Sequence, residues 1–537
     1  MVMEKIQTAE DLARDQREIS ISEFFEKNRH LLGYDNKVKA LLTVVREAVD
    51  NSLDATEEAR IIADIKVSVK PVGDLKDRYR ISIEDNGPGI VRENITRAFG
   101  KLLFGSKFHR LRQSRGQQGI GISGAVMYSQ LTSGKPTKII SSTGNGKTHY
   151  IDLMIDTFKN EPEVLKEEIK EGKNWHGIKI EMEVEGKYVE HQQSIAEYLK
   201  QSAMSNPYAQ IVYDSPDGKI VFERSVNTLP EEPKSIKPHP HGIEIGILRR
   251  MLKTTDARTI TGFLTSDFSR VGHSSAKEIL RIAKLGEDTT PKNIDGPQVE
   301  KLFQAIQQVP LIKPQLDCLS PLKEKLIEEG LKKQLRPEYV VAVTRPPDVY
   351  RGNPFQIEVG IAYGGELNAQ SVATLYRVAN RVPLMYQAGD CALSKAVSEI
   401  EWKRYGMEQA GSSSLPTGPI AIFVHIASVW VPFTSESKEA IASYPEIIKE
   451  TKLALQEAGR KLSIYIHKKK HAEDSAQRSS LFEKYIPEVS DALARLSGAS
   501  KAHIASKLES MLKKGKIVIE DSAPEEDEKP EKEEEAE

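Results

Sequence analysis

The stretch Arg46-Glu47-Ala48-Val49-Asp50-Asn51-Ser52-Leu53-Asp54-Ala55 decides how this chain is read, because it sets a carboxylate and an amide one helical turn apart inside an apolar run. Leu41, Leu42, Val44, Val45 and Ala48 keep the helical period and bury one side, so Glu47 and Asn51 share the opposite face and look into a cleft. There a carboxylate can take a proton from a water, and an amide oxygen four residues on can ligate a hard cation such as Mg²⁺. By pattern alone the pair also fits a solvated helix face.

Two glycine-bearing stretches follow. Asp85-Asn86-Gly87-Pro88-Gly89-Ile90 comes after an alternating strand from Tyr79 to Glu84, and Gly116-Gln117-Gln118-Gly119-Ile120-Gly121-Ile122-Ser123 opens a helix. Asp85 at a strand end can accept a hydrogen bond from an exocyclic amino group, while Gly87 and Gly89 let the backbone approach a flat base. Glycines before a helix leave its first amide groups free for phosphate oxygens at the positive end of the dipole. Either glycine pattern alone is an ordinary loop. In this order and spacing, the three blocks resemble the Bergerat ATP-binding fold of the GHKL superfamily, which includes gyrase-type topoisomerases, a heat-shock chaperone, histidine kinases and MutL-type repair proteins. The resemblance implies ATP and Mg²⁺ as cofactors, Glu47 as general base, Asn51 as metal ligand, Asp85 with Gly89 at adenine, and residues 116–123 as phosphate cradle. One position departs from the superfamily: Ile178 follows Gly177 where a threonine often helps a water to bind adenine.

The 537 residues allow three or four domains with ample cores. No apolar run approaches a membrane helix and the N-terminus lacks a signal-peptide pattern, so a cytoplasmic protein is expected. Cys318 and Cys391 are the only cysteines, too few for a disulfide framework or a thiolate zinc site, and read as packing residues. From Glu520 to Glu537 there are eleven acidic residues and two lysines, a net of −9, so the rest carries +7 against a total of −2. The acidic end reads as disordered, and the mildly basic body permits nucleic-acid contact without requiring it.

In chain order, residues 1 to about 35 are polar apart from Ile21, Phe24, Phe25, Leu31 and Leu32, and fit a strap on a neighbour or a frayed end equally well. Strands are expected at Ile61 to Val69, Arg78 to Glu84, Lys138 to Ser142, Thr148 to Met154 and Gly177 to Val184. A long basic loop between Arg92 and Arg115 reads as an ATP lid, with Ser106 and Lys107 in reach of phosphates. A helix from Ser194 to Met204 and strands Ile211 to Tyr213 and Ile220 to Arg224 lead to a Pro-rich break at Pro230, Pro233, Pro238 and Pro240.

Short helices are expected from about Gly242 to Gln308. In Ser275 to Lys284, Ala276, Ile279, Leu280 and Ala283 turn inward, while Lys277, Arg281 and Lys284 form a basic row suited to phosphates, preceded by Arg270. This cluster resembles the helix-two-turns-helix module of DNA-repair glycosylases and of the B subunits of type IIB topoisomerases. Strands Tyr339 to Thr344, Gln356 to Ala362 and Ile420 to Val429, with helices near Cys391 to Arg404 and Pro445 to Tyr465, resemble a βαβ transducer. Lys438 then matches the lysine that reaches across domains to the γ-phosphate. Trp402-Lys403-Arg404-Tyr405 interleaves aromatics and cations, as DNA stacking would need, although a core tryptophan beside solvated cations fits equally. Leu481 to Leu496 and Ala502 to Leu512 read as amphipathic helices.

The expected class is therefore α+β: a Bergerat α/β sandwich, a helix-two-turns-helix insert, a βαβ transducer and a helical C-terminal extension with an acidic tail. The expected boundaries are 1–228, 229–315, 316–470, 471–518 and 519–537. This order resembles the B subunits of type IIB DNA topoisomerase (topoisomerase VI). The resemblance implies ATP-dependent B dimerisation around a captured duplex, a separate A subunit that cleaves DNA, an A2B2 assembly, and strand passage that relaxes supercoils. The competing expectations are a non-catalytic, ATP-switched DNA-binding or assembly subunit, and another GHKL ATPase of chaperone or mismatch-repair type.

Overall fold

A computed structural model describes residues 18–521 together with Ala9 and Ala13, apart from Ser106, Phe108, His109, Gln117, Gln118, Lys173, Asn174, His191, Gln192 and Glu436. Two compact units are separated, Met1–Gly459 and Arg460–Glu537. The expected acidic tail beyond residue 521 lies outside the described residues. Among those described, no helix is long and apolar enough to cross a membrane.

The first unit begins with α1 (Ile21–Lys27), whose N-cap Ser20 accepts from the Glu23 amide, and then the organising helix α2 (Lys37–Glu58), capped by the Asn36 side chain at the Lys39 amide. Leu41, Val44, Val45, Val49 and Leu53 of α2 are almost completely buried. Their burial contributes on the order of 10 kcal/mol, which helps to offset the cost of seating Asp50, Asp54 and Glu57, also buried, on the same helix.

Helix α2 lies on an eight-stranded sheet built from β1 (Asp64–Pro71), β2 (Arg78–Asp85), β3 (Thr137–Thr143), β4 (Lys147–Asp156), β5 (Glu161–Glu171), β6 (His176–Glu185), β7 (Gln210–Ser215) and β8 (Gly218–Phe222). Their order is β5-β4-β3-β6-β2-β1-β7-β8, antiparallel except for the β1–β7 pair. Strand β5 has no counterpart in the sequence reading. It is an edge strand exposed along nearly its whole length, so neither face carries the apolar alternation that marks a strand. The expected lid loop is also corrected at its start: Arg92–Gly100 is a helix, α3, because Ile95 and Phe99, one turn apart, are both buried. Helices α4 (Gly121–Ser133) and α5 (Ile195–Ser205) complete this layer.

A separate core is formed by α6 (Ile245–Thr254), α7 (Ile260–Asp267), α8 (His273–Ala283) and α9 (Gly296–Gln308). Ala276, Ile279, Leu280 and Ala283 point into it as expected, and Arg270, Lys277, Arg281 and Lys284 are exposed. Lys284 is the C-cap in a left-handed conformation (φ 55°), one residue beyond the helix, and Lys277 pairs with Glu287 at 3.3 Å.

Beyond α10 (Lys323–Leu335), the second sheet contains β9 (Tyr339–Thr344), β10 (Asp348–Tyr350), β11 (Asn353–Tyr363), β12 (Thr374–Ala379) and β13 (Val382–Pro383). It continues, past α11 (Ala392–Ser398) and the ribbon β14 (Glu408–Gln409) and β15 (Pro416–Thr417), into β16 (Ile420–Ser428). Strands β12 and β16 are parallel with α11 between them, which makes a βαβ crossover. The stacking role expected of Trp402 does not hold. Its indole is fully enclosed, donates from Nε1 to the Val397 carbonyl at 3.0 Å and meets Tyr405 edge to face. Tyr405 packs on Gly459, and Lys403 of the same turn is exposed. Cys318 and Cys391 are buried free thiols.

Helix α12 (Pro445–Ser497) runs unbroken through 53 residues, so Leu481 to Leu496 is not a separate helix. The polar stretch ahead of Leu481 lacks an apolar period but also lacks glycine and proline, and its lysines, alanines and glutamines propagate a helix. Helix α13 (Lys501–Asp521) contains the second expected segment.

A buried ion cluster joins the two sheets of the first unit. Arg115 Nη2 donates to Glu57 at 2.8 Å and to Asn206 at 2.6 Å, its Nη1 donates to Asp54 at 2.8 Å, and Arg381, just after β12, reaches the other oxygen of Glu57. Burial pushes the Glu57 carboxyl up, but Arg381 and Arg115 more than reverse this and hold it at about 2, against an ordinary 4.5. Its stabilising contribution is therefore complete above about 4.5 and is lost as pH falls towards 2. Arg381→Met is expected to lower stability by about 3–5 kcal/mol, because it leaves a buried carboxylate half compensated. Urea midpoints of parent and variant at pH 7 and in steps below pH 4.5 check both the loss and its disappearance in acid.

Candidate active site

A cavity of about 210 Å³ opens beside α2, lined by Asn51, Ser52 and Ala55 of the helix, Ile83 and Asp85 of β2, Gly89, Phe99, Ile122 and Ile178. Asp85 sits at its floor and accepts from Ser52 Oγ at 2.7 Å, the Gly87 amide at 2.9 Å and the Ile178 amide at 3.1 Å. Burial raises its pKa, and these three donors hold the rise back. One carboxylate in an otherwise apolar slot is suited to a planar base with an exocyclic amino group. At the position that departs from the superfamily, Ile178 contributes its backbone amide, and the hydroxyl beside Asp85 comes from Ser52 on the opposite wall. The close strand approach depends on Gly177 (φ +130°), where a Cβ would fall 2.1 Å from the Asp85 carbonyl.

Glu47 lies one turn before Asn51 and faces the amino end of α4. A Cβ on Gly121 would sit 1.9 Å from Glu47 Oε2, so only glycine leaves that oxygen its place. Arg46 Nη2 meets the other oxygen, Oε1, at 3.0 Å. Burial pushes the Glu47 carboxyl up, but Arg46 and Lys438 bring it below its usual range, so it is ionised at neutral pH. Asp50 turns away to accept from Tyr198 OH at 2.8 Å, and burial together with Glu47 raises it to about 6. The Asn51 side chain is exposed, and a Cβ on Gly116 would lie 3.9 Å from its Oδ1.

In α4 the first intrahelical pairing is the Gly124 amide to the Ile120 carbonyl, and no side chain caps the helix. The amides of Gly121, Ile122 and Ser123 are thus left for an anion. The Ser123 hydroxyl turns back to the Ile120 carbonyl at 3.1 Å, and Gly119 is left-handed at φ 62°. The Gly116 amide points at Asp54 (3.3 Å), and Lys107 is held by Asp54 at 2.5 Å on the outer end of α2. Ser106, Gln117 and Gln118 lie outside the described residues. Lys438 reaches back across 323 residues of chain to donate to the Arg115 carbonyl at 3.0 Å, beside the cradle.

The sequence reading misses Ser52, Asp54 and Arg115 as members of the site. Asp54 is visible there as the next acidic residue on the Glu47 face, at i+7. The pairing that gives it a role comes from Arg115, 61 positions away.

Residues 36–157 match the family described as histidine kinase-, DNA gyrase B- and HSP90-like ATPase, and residues 314–478 match the family described as topoisomerase VI B subunit, transducer. The B subunit of type 2 DNA topoisomerase 6 from Archaeoglobus fulgidus is 51% identical over 474 residues, covering 88% of this chain and 78% of that protein. Its counterpart from Methanococcoides burtonii is 47% identical (90% and 78% covered), and that from Thermococcus kodakarensis 40% (92% and 94%). With an ATPase sheet, a transducer sheet and relatives at this identity over most of both lengths, the chain belongs to the topoisomerase VI B-subunit family, the ATP-hydrolysing part of a type II topoisomerase.

Proposed function

We propose that Glu47 is the general base of ATP hydrolysis, that Asp85 with Ser52 and Gly89 binds adenine, and that the amino end of α4, from Gly119 to Ser123, holds the phosphates. The observation that carries this reading is the meeting of Glu47 Oε2 with Gly121, which sets an ionised carboxylate where an attacking water would lie beside a phosphate held by the α4 amides. Among the described residues, no group of three His, Cys, Asp or Glu side chains is placed to hold a metal alone. The donor set fits Mg²⁺, which keeps most of its waters and takes few protein oxygens, with Asn51 Oδ1 as the chain's ligand beside the phosphates. Bound there, the ion neutralises phosphate charge.

Lys438 senses the γ-phosphate. Its ammonium rests on the Arg115 carbonyl, a neutral acceptor that a phosphate oxygen outcompetes, so ATP and not ADP recruits it and biases the angle between the two sheets. Lys107 on Asp54 is likewise a lid cation available for exchange onto phosphate. The names of the relatives support an A subunit that cleaves DNA, and a duplex captured by two ATP-bound copies of this chain. The four helices from Ile245 to Gln308 form the helix-two-turns-helix module and contact duplex phosphates through Arg270, Lys277, Arg281 and Lys284, with Lys403 as a further cation on the transducer. The second reading is an assembly subunit that uses ATP only as a switch, and the behaviour of Glu47→Ala separates the two.

Glu47→Ala is expected to lose hydrolysis by roughly 10²- to 10⁴-fold while keeping nucleotide affinity within a few-fold, so it accumulates as a dimer with Mg²⁺-ATP. Asn51→Ala loses Mg²⁺-dependent affinity and stays monomeric. Phosphate release and sedimentation velocity distinguish the two, and unchanged turnover in Glu47→Ala supports the switch.

Lys438→Ala should bind ADP nearly as the parent does but respond weakly to ATP. Small-angle scattering that finds the parent's ATP-dependent change in the variant removes the sensor role.

Replacing Lys277, Arg281 and Lys284 together by Ala should weaken duplex binding and flatten its salt dependence by up to about three counterion equivalents. ATP turnover without DNA is expected to stay near the parent's, and an unchanged salt slope identifies a merely solvated face.

A further inference from the structure

We propose that Arg46 is a positioning residue for hydrolysis, gripping one oxygen of Glu47 from the buried side so that the other is presented to the attacking water. This rests on the general-base reading of Glu47. Arg46 is the side chain immediately before the base, yet it does not point to solvent. It is 6% exposed and its Nη2 lies 3.0 Å from Glu47 Oε1, while Oε2 faces Gly121 and the amino end of α4. The two oxygens are thereby made inequivalent before any nucleotide arrives. A carboxylate free to rotate would present either oxygen, and a near-attack geometry depends on fixing one.

The guanidinium is itself fixed by what surrounds it. Asp50, one turn further along α2, supplies a second negative charge and is held by Tyr198 of α5 at 2.8 Å. Tyr198 OH also lies 3.5 Å from the Arg46 carbonyl. The charged and titratable groups facing the Arg46–Glu47 pair are Asp50 on the same helix, Lys438 from the loop after β16, Tyr34 ahead of α2, Tyr198, and Tyr386 after β13. Lys438 adds a cation to Glu47 from a different domain, whereas Arg46 acts on it from within the same helix. Arg46 therefore serves the base in every state of the cycle, and Lys438 is available to leave it for phosphate.

A cation beside a base keeps it ionised to lower pH, so removing Arg46 raises the pH at which Glu47 loses its proton. Removing the Asp50 charge takes away a repulsion and leaves Arg46 to Glu47 alone, so it lowers that pH.

The test uses the full chain and kcat profiles from about pH 5 to 9 with saturating Mg²⁺-ATP. Arg46→Ala is expected to lose roughly 10- to 100-fold in kcat with KM within a few-fold, and to move the acid limb upward by about one pH unit or more. Arg46→Lys keeps the cation, so it should restore the limb while recovering only part of kcat. Asp50→Asn, which still accepts from Tyr198, should move the limb downward and gives a reading even where Arg46→Ala fails to fold. An acid limb that stays at the parent's position in Arg46→Ala, or moves upward in Asp50→Asn, overturns the proposal. Glu47→Gln separates the two readings. Retained hydrolysis there removes the general base and the positioning role with it, while lost hydrolysis with an unmoved limb in Arg46→Ala overturns the positioning role alone.

Discussion

The contact on which the rest depends is the pair of guanidinium groups, Arg115 and Arg381, on the single buried carboxylate of Glu57. Glu57 lies at the end of the helix that carries Glu47 and Asn51, Arg115 leads into the phosphate cradle, and Arg381 belongs to the transducer sheet. Three elements that must move in concert thus share one charge centre. Buried ions of this kind are costly unless fully partnered. Here Asn206, Tyr208 and Ser320 supply the remaining partners: Arg115 donates to Asn206 and Tyr208, Tyr208 donates to Glu57, and Arg381 donates to the Ser320 carbonyl.

The cluster continues into the transducer core. The Arg381 amide donates to His425 Nε2 at 3.1 Å, and His425 Nδ1 lies 2.8 Å from Glu358, both side chains fully buried. Since Nε2 accepts, the Nδ1 proton goes to Glu358, giving a neutral imidazole and an ionised carboxylate. The directions agree: burial holds His425 below its usual pKa, and the bonds from His425, Leu322 and Lys323 outweigh burial to hold Glu358 below its own. A chain of polar contacts therefore runs from the middle of the second sheet to the residue before Gly116. On the other flank, Lys438 on the Arg115 carbonyl and Lys39 with Glu439 at 2.5 Å tie the loop after β16 to the same region. A change at the phosphates has fixed partners through which to reach the transducer.

Much of this is legible in the sequence. The organising helix, both glycine turns, most strands of the first sheet and the insert helices all carry a period or a turn residue that local physics dictates. The elements that sequence misreads have no such local signal. Strand β5 is exposed on both faces and shows no alternation. The helix at Arg92 reads as loop because its polar residues outnumber the two buried ones, Ile95 and Phe99, that define it. Trp402 reads as a DNA contact because interleaved aromatics and cations look alike on a surface and in a core; only the enclosing contacts place its indole inside.

The sequence by itself determined the chemistry on offer: a carboxylate and an amide on one helical face, an acidic strand end followed by glycines, and a glycine turn opening a helix. These follow from spacings of a few residues, where backbone geometry leaves little choice. Tertiary structure alone decided how those groups are tuned. It brought Ser52 and the Ile178 amide to Asp85, turned Arg46 inward onto Glu47, parked Lys107 on Asp54, and carried Lys438 and Arg381 from distant parts of the chain to the edge of the site. The physical reason is that a pKa or an orientation depends on what lies within a few ångströms in space, and in a chain of this length most of those neighbours are distant in sequence.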